Sequence, residues 1–213
     1  MSVHTRIKFC GLTRPQDVDL AVSLGVDLIG LVFAARSARR VDLTVARGLR
    51  QRIPSGVEMV ALMMDNPAEE VANIADILQP DVLQFHGQEA EAFCARFGVP
   101  FFKAIAVADL DASQVSERIA TWPSARALLF DGHAAGEMGG SGRSFDWRIL
   151  PRAGATPFLL AGGLDAGNVE DAIHEARPWG VDVSSGIESA PGIKDAQRMR
   201  AFVAAARRAD AAA

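Results

Sequence analysis

The sequence predicts an α/β protein of the (β/α)8 class, a single domain over residues 1–213. Three observations predict it. Short apolar runs recur along the chain with helix-like segments between them. Several of these runs are apolar almost throughout, as strands covered on both faces are, which points to a parallel sheet flanked by helices. Eight such strands alternating with helices in ~200 residues suit a compact closed barrel. An open doubly wound sheet is the alternative. No Gly-x-Gly-x-x-Gly follows the first strand, which weighs against a dinucleotide fold.

The eight expected strands are "RIKFC" (6–10), "LIGLVF" (28–33), "EMVALMM" (58–64), "VLQFH" (82–86), "FFKAIAV" (101–107), "ALLFD" (127–131), "FLLAG" (158–162) and "GVDVSS" (180–185). Helix-start signals lie between them. Thr13 with Gln16 fits a capping box, with Pro15 in the first turn. Asn66-Pro67 with Glu69 repeats the logic before "AEEVANIADIL", and Asn168 precedes "VEDAIHEA". The last helix, "DAQRMRAFVAAARRA", runs nearly to the end, where an Ala-rich tail is expected to fray.

Composition narrows the function. A chain of 213 residues can bury one sizeable core, and 49% hydrophobic with 23% charged residues suits a globular protein. A formal net charge of −4 gives no sign of nucleic-acid binding. No run reaches ~18 consecutive apolar residues, so no membrane span is expected. The start "MSVHTRIKFCGL" has no apolar signal core. Cys10 and Cys94 make no disulfide framework, so a reducing cytoplasm is the expected location.

In a barrel the active site sits at the C-terminal ends of the strands. Those ends offer Cys10-Gly11, Phe33 with Arg36 and Arg39 beyond it, Asp65, His86-Gly87, Asp131-Gly132, Gly162-Gly163 and Ser184-Ser185-Gly186. "LAGGLDAGNV" and "SSGIES" end strands seven and eight, where barrels that bind phosphate usually hold it. Gly162, Gly163 and Gly186 let backbone N–H groups approach an anion, and Ser184 and Ser185 add donors. Tight turns alone would explain one such loop, but two in adjacent positions favour phosphate.

A lone cysteine is more often a small core residue than a reactive one. Cys10 ends its strand at the top face, and alternation puts Lys8 on the same face, where its charge favours thiolate. Cys94 lies within a helix and reads as core packing. Asp131 could cap a turn, or face the substrate as a partly desolvated acid. Asp65 precedes Asn66-Pro67 and reads as a helix-entry residue. His86 shares a strand face with Gln84 and reads as a site-lining group. No second His or Cys sits beside it at metal-ligand spacing, so no metal is expected. His4 and His174 look like surface residues. The segment 132–145, "GHAAGEMGGSGRSF", is long for a βα loop and reads as a mobile lid over the substrate or as disordered filler, with His133 only riding on it. "RSARRVD" suits a carboxylate clamp, and spacing leaves Arg36, Arg39 and Arg40 all open. Alternation also places Asp182 with Ser184, and an ion pair with Lys8 is expected beneath the site.

Together these motifs resemble the phosphoribosylanthranilate isomerase family of tryptophan biosynthesis. "KFCGLTRPQD", "LIGLVFAARSARRV", "VLQFHG", "LLFDG", "GGSGRSFDW", "LAGGLDAGNV" and "VDVSSGIESAPGIKD" carry the resemblance in order, over nearly the whole chain. Two departures are visible. The family's usual Lys-Ile-Cys-Gly has Phe9 here, and its Ser-Pro-Arg is Ser37-Ala38-Arg39. Phe9 alternates away from Cys10 and should affect packing more than chemistry.

The resemblance implies a TIM barrel without a cofactor, acting on a small-molecule phosphosugar. The reaction it implies is an Amadori rearrangement of N-(5-phosphoribosyl)anthranilate to 1-(2-carboxyphenylamino)-1-deoxyribulose 5-phosphate. It implies Cys10 as general base, Asp131 as general acid and Arg39 as the clamp on the anthranilate carboxylate. It also implies that the turns at Gly162-Gly163 and Ser184-Ser185-Gly186 hold the phosphate. Opposite protonation demands on Cys10 and Asp131 require different surroundings. Another phosphosugar barrel enzyme would share the phosphate loops. A synthase of that kind needs catalytic Lys and Glu at strand ends, whereas Lys8 and Lys103 sit inside strands. A non-catalytic phosphosugar-binding module would need neither Cys10 nor Asp131. The sequence chooses neither between monomer and homodimer nor for or against related aminoaldose phosphates as substrates.

Overall fold

A computed structural model describes residues 4–132, 145–151 and 156–211. Eight parallel strands close into a barrel in chain order. They are β1 (Arg6–Cys10), β2 (Leu28–Val32), β3 (Glu58–Met63), β4 (Val82–Phe85), β5 (Phe101–Ala106), β6 (Ala127–Asp131), β7 (Phe158–Leu160) and β8 (Gly180–Val183). The first and last strands seal the ring, with Lys8 opposite Asp182 in the β1–β8 register.

Among the described residues, seven helices surround it: α1 (Pro15–Ser23), α2 (Leu43–Arg50), α3 (Ala68–Leu78), α4 (Glu91–Ala95), α5 (Ala112–Ala120), α6 (Val169–Ala176) and α7 (Ala196–Ala211). Among the described residues, the connection from β6 to β7 holds only a 3-10 turn at Trp147–Ile149. A short antiparallel hairpin, β9 (Glu188–Ala190) and β10 (Ile193–Lys194), stands between β8 and α7.

Alternation along the strands sorts the side chains into two cores. Leu28, Val60, Phe102, Leu129 and Leu159 belong to the cluster inside the barrel. Ile7, Phe9, Ile29, Phe130 and Leu160 belong to the larger cluster between strands and helices. Phe9 meets Phe202 of α7 edge-on at 6.0 Å, so it packs on the face opposite Cys10. Cys94 is fully buried in that outer layer, and burial pushes its thiol up to about 12.

Six of the eight strands end one or two residues before the apolar run does. After β3 and β7 the reason lies in the loop that follows. Asp65, Gly162 and Gly163 take left-handed φ angles of 56°, 84° and 66°, which cannot continue a ladder. Phe33, Val107 and Ala161, just past their strands, are buried, and each still donates one backbone N–H to the neighbouring strand, to Leu62 O, Asp131 O and Phe130 O.

Helix entry also differs from expectation. Arg14, not Thr13, is the N-cap of α1, and the Thr13 hydroxyl instead donates to Gly192 O at 2.6 Å. Pro67 precedes α3 without a side-chain cap. Asn66 turns inward, accepting from Met64 N and donating to Phe33 O. Asp65 is a cross-loop brace: its Oδ1 accepts from Gln88 N at 2.7 Å and its own N–H donates to Glu89 at 2.8 Å. A capping box does occur, at Asp111 with Gln114 before α5. His4 and His174 are exposed, as expected.

Candidate active site

The C-terminal ends of the strands surround one cleft of about 770 Å³, its mouth included. Cys10, Arg39, His86, Asp131, Gly162, Gly163, Ser184 and Ser185 all line it, together with Ser37, Gln84 and Asp182. Arg36 and Arg40 do not line it, which separates the three arginines that spacing leaves open. Gly186 does not line it either. A Cβ there would meet Leu164 O at 2.0 Å, so Gly186 serves close packing between the turns after β7 and β8. Of the segment 132–145 expected as a lid, residues 133–144, His133 among them, lie outside the described residues.

Beneath the cleft, Lys8 Nζ donates to Asp182 Oδ1 at 2.8 Å, with Lys8 fully buried. This is the ion pair expected from alternation. Burial would lower the Lys8 pKa, but the neighbouring Asp182 outweighs it and the net direction is upward, keeping the ammonium charged. Gly30 lies opposite Cys10 on β2. A Cβ at Gly30 would stand 3.0 Å from Cys10 Sγ and 3.2 Å from Lys8 Nζ, so the missing side chain makes room for both groups.

Burial pushes the Cys10 thiol above its ordinary value. Lys8 and Lys194 pull it down and Asp182 adds to the rise, but burial wins. Lys8 thus favours thiolate, as expected from alternation, but burial outweighs it and the net direction is upward. Asp131 is 4% exposed at the end of β6. Its Oδ2 lies 3.6 Å from His86 Nε2. Gln84 Nε2 is 3.4 Å from His86 Nδ1, so His86 stands between Gln84 and Asp131.

The turn after β7 is stapled by Asn168, whose amide donates to Gly163 O and accepts from Asp165 N. Asn168 thus shapes this turn rather than capping α6 with its side chain. Ser184 Oγ donates to Cys10 O at 3.1 Å, tying the β8 turn to β1.

Arg39 already has a partner. Its Nε and Nη2 donate to the two oxygens of Glu188 at 2.8 Å each. Two N–H groups on Nη1 are left to serve a ligand carboxylate. Glu188 also accepts from Gly192 N and Lys194 Nζ. Burial would raise the Glu188 carboxyl, but Arg39 and Lys194 outweigh it and hold it below the ordinary range. Sequence reasoning missed Glu188 and Lys194. The signal available was two charges flanking the Pro-Gly turn in "IESAPGIKD". Among the described residues, no group of three or more His, Cys, Asp or Glu could hold a metal.

Comparison with known proteins finds relatives along nearly the whole chain. Residues 7–205 match the family described as N-(5'-phosphoribosyl)anthranilate isomerase. The chain is similar to the N-(5'-phosphoribosyl)anthranilate isomerase of Stenotrophomonas maltophilia strain K279a, 52% identical over 97% of this chain and 95% of that one. It is also similar to the crystal structure of phosphoribosyl anthranilate isomerase from Thermotoga maritima. That match has a TM-score of 0.87 at 33% identity, over 96% of this chain and 99% of the other. A further phosphoribosyl anthranilate isomerase structure was solved in complex with reduced 1-(o-carboxyphenylamino)-1-deoxyribulose 5-phosphate. It matches with a TM-score of 0.84 at 29% identity, over 96% and 99% of the two chains. Matched along nearly its whole length in sequence and in barrel architecture, the chain belongs to the N-(5'-phosphoribosyl)anthranilate isomerase family.

Proposed function

We propose that this chain performs the family's isomerisation, the Amadori rearrangement in tryptophan biosynthesis, with Cys10 as general base and Asp131 as general acid. The observation that carries this reading is the shared cleft. A thiol and a carboxyl from strands on different sides of the ring line one cavity, with paired glycine and serine turns between them.

Asp131 gives a proton to the ribose ring oxygen as the C1–O bond breaks, forming the Schiff base. The iminium withdraws electrons and acidifies the C2 hydrogen. The Cys10 thiolate takes that hydrogen, leaving an enolamine that tautomerises to the ketone. Both proton transfers use side chains of this chain. The phosphate sits on the N–H groups around Gly162 and Gly163 with Ser184 and Ser185 as further donors. The anthranilate carboxylate meets the Nη1 edge of Arg39. His86 lines the wall beside Asp131.

Burial holds the Cys10 thiol above its ordinary value, so the base needs cations beside it to reach the thiolate form. Lys8 and Lys194 are the cations that make this form accessible. The reading fits a monomer or a homodimer. Both cysteines are free thiols, which supports a reducing cytoplasm as the working compartment. Among the described residues, no helix is long and apolar enough to cross a membrane.

Lys8 is committed to Asp182, and Lys103 to Gly87 O and Glu89. Neither is offered to a ligand as the catalytic lysine of a synthase would be. The test is turnover: purified protein mixed with N-(5-phosphoribosyl)anthranilate should change the anthranilate fluorescence at an enzymatic rate. Folded protein with no rate above background would defeat the proposal.

A further inference from the structure

Lys194 lies outside the cleft lining, yet it is one of the most heavily bonded cations in the protein. Its side chain is fully buried. Nζ donates to Cys10 O at 2.6 Å, Glu188 Oε1 at 2.8 Å and Ser184 O at 3.1 Å, with Ser184 Oγ at 3.4 Å. Its backbone is fixed as well. Lys194 O accepts from Arg14 at 2.9 Å, and Lys194 N donates to Asp17 at 3.4 Å. The hairpin bearing Lys194 is thus pinned to the start of α1 while the ammonium reaches up between the ends of β1 and β8.

An ammonium has three protons to place, and here they go to the carbonyl of the proposed base, the carbonyl of the phosphate turn and the carboxylate that holds Arg39. No side chain of the cleft lining makes all three of these connections. The geometry matters for the reaction. A phosphosugar is held at its phosphate, and the hydrogen to be removed lies several bonds away at C2. The distance between phosphate turn and thiol therefore decides whether the base meets its hydrogen.

We propose that Lys194 is a positioning residue of the isomerisation, joining the carbonyls of Cys10 and Ser184 so that base and phosphate turn stay in fixed register. Glu188 completes the hub by linking the same ammonium to the Arg39 clamp. This inference rests on the role proposed above for Cys10. It assigns Lys194 no contact with substrate.

The test is Lys194→Met, which keeps most of the stem and removes the cation. A misplacement of about 1 Å can cost ~10²-fold, so kcat should fall by roughly 10- to 10²-fold while KM changes less than about threefold. A second readout separates positioning from mere stability: the pH midpoint of Cys10 alkylation by iodoacetamide. The charged groups around Cys10 are Lys8 on its own strand, Asp182 on β8, Arg39 beyond β2 and Lys194 on β10. Removing the last should move the midpoint upward. An unchanged kcat or an unchanged midpoint in folded protein overturns the proposal. If Lys194→Met gives no folded protein, Lys194→Arg carries the test. It keeps the charge beside Glu188 but replaces the ammonium by a planar fork, and should lose kcat with KM retained. Wild-type kcat in Lys194→Arg would overturn the proposal. Cys10→Ser measured alongside distinguishes the failures. Near-normal kcat there defeats the base assignment, whereas an inactive Cys10→Ser beside a fully active Lys194 variant defeats only the positioning role.

Discussion

Lys8 Nζ and Asp182 Oδ1 stand 2.8 Å apart across the seam between the first and last strands, with side-chain exposures of 0% and 9%. Removing one partner of such a pair leaves the other buried and uncompensated, which costs about 3–5 kcal/mol. Lys8→Met should therefore lower urea-unfolding stability by about that amount. Lys8→Met combined with Asp182→Asn should lose markedly less, because no lone charge remains. If the double variant is as unstable as the sum of the two single ones, the two groups are not coupled.

The thiol sets the pH dependence. The kcat/KM profile follows ionisations of the free enzyme, and burial raises Cys10 above its ordinary value of 9.0. A base is active only when deprotonated, so kcat/KM should rise with pH from neutral toward and beyond 9.0 on this limb. Alkylation of Cys10 in a Cys94→Ser background should rise over the same range. The linkage sign is opposite for folding. A thiol whose folded value is raised contributes stability present at neutral pH and lost as pH climbs through that value. A Cys10 alkylation midpoint well below 9.0 would contradict the burial argument.

Cys10→Ser should keep the fold and much of the KM while kcat falls by ~10²–10⁴-fold, because a hydroxyl is a far poorer base than a thiolate. Asp131→Asn should do the same for the opposite reason, since an amide has no acidic proton to give. Circular dichroism verifies the fold, and steady-state kinetics decides. A near-normal kcat in Cys10→Ser, with chemistry rate-limiting, would make this cysteine a packing residue.

Gly163 has φ of +66°, where an L side chain costs about 1–2 kcal/mol. A side chain there would also cover the N–H groups offered to the phosphate. Gly163→Val should raise KM more than it lowers kcat, with a modest loss of thermal stability. Unchanged KM would move the phosphate elsewhere.

Arg39→Lys replaces a fork by a single ammonium and cannot reproduce the two bonds to Glu188. We expect KM to rise and Glu188 to lose part of what holds its carboxyl down. A folded-state value that moves upward brings the acid loss of stability to higher pH. The acid limb of a pH–stability curve for Arg39→Lys should shift in that direction.

The barrel was legible because its evidence in the chain is local: apolar runs of strand length, at regular spacing, each ending in small or reactive residues. The cleft followed from one rule about strand ends, which brings Cys10 and Asp131 together despite their separation in sequence. Boundaries failed where tertiary geometry takes over. Thr13 looks like a cap by spacing, but Gly192 offers its hydroxyl a partner from the far end of the chain. Asp65 looks like a helix entry, but its left-handed backbone turns it toward the next loop. Lys194 was hidden for the same reason. Its most telling bond is to a carbonyl 184 residues earlier, and no periodicity encodes that.

The seam between β1 and β8 also bears on synthesis. Lys8 leaves the ribosome 174 residues before its carboxylate partner. At a translation rate of ~5–20 residues per second, that is a wait of roughly 9–35 seconds. Until the eighth strand emerges, the first strand offers an apolar surface and an unsatisfied ammonium with no sheet edge to join on that side. Closure of the ring therefore waits for the eighth strand, and until it is made β1 has no β8 edge to pair with.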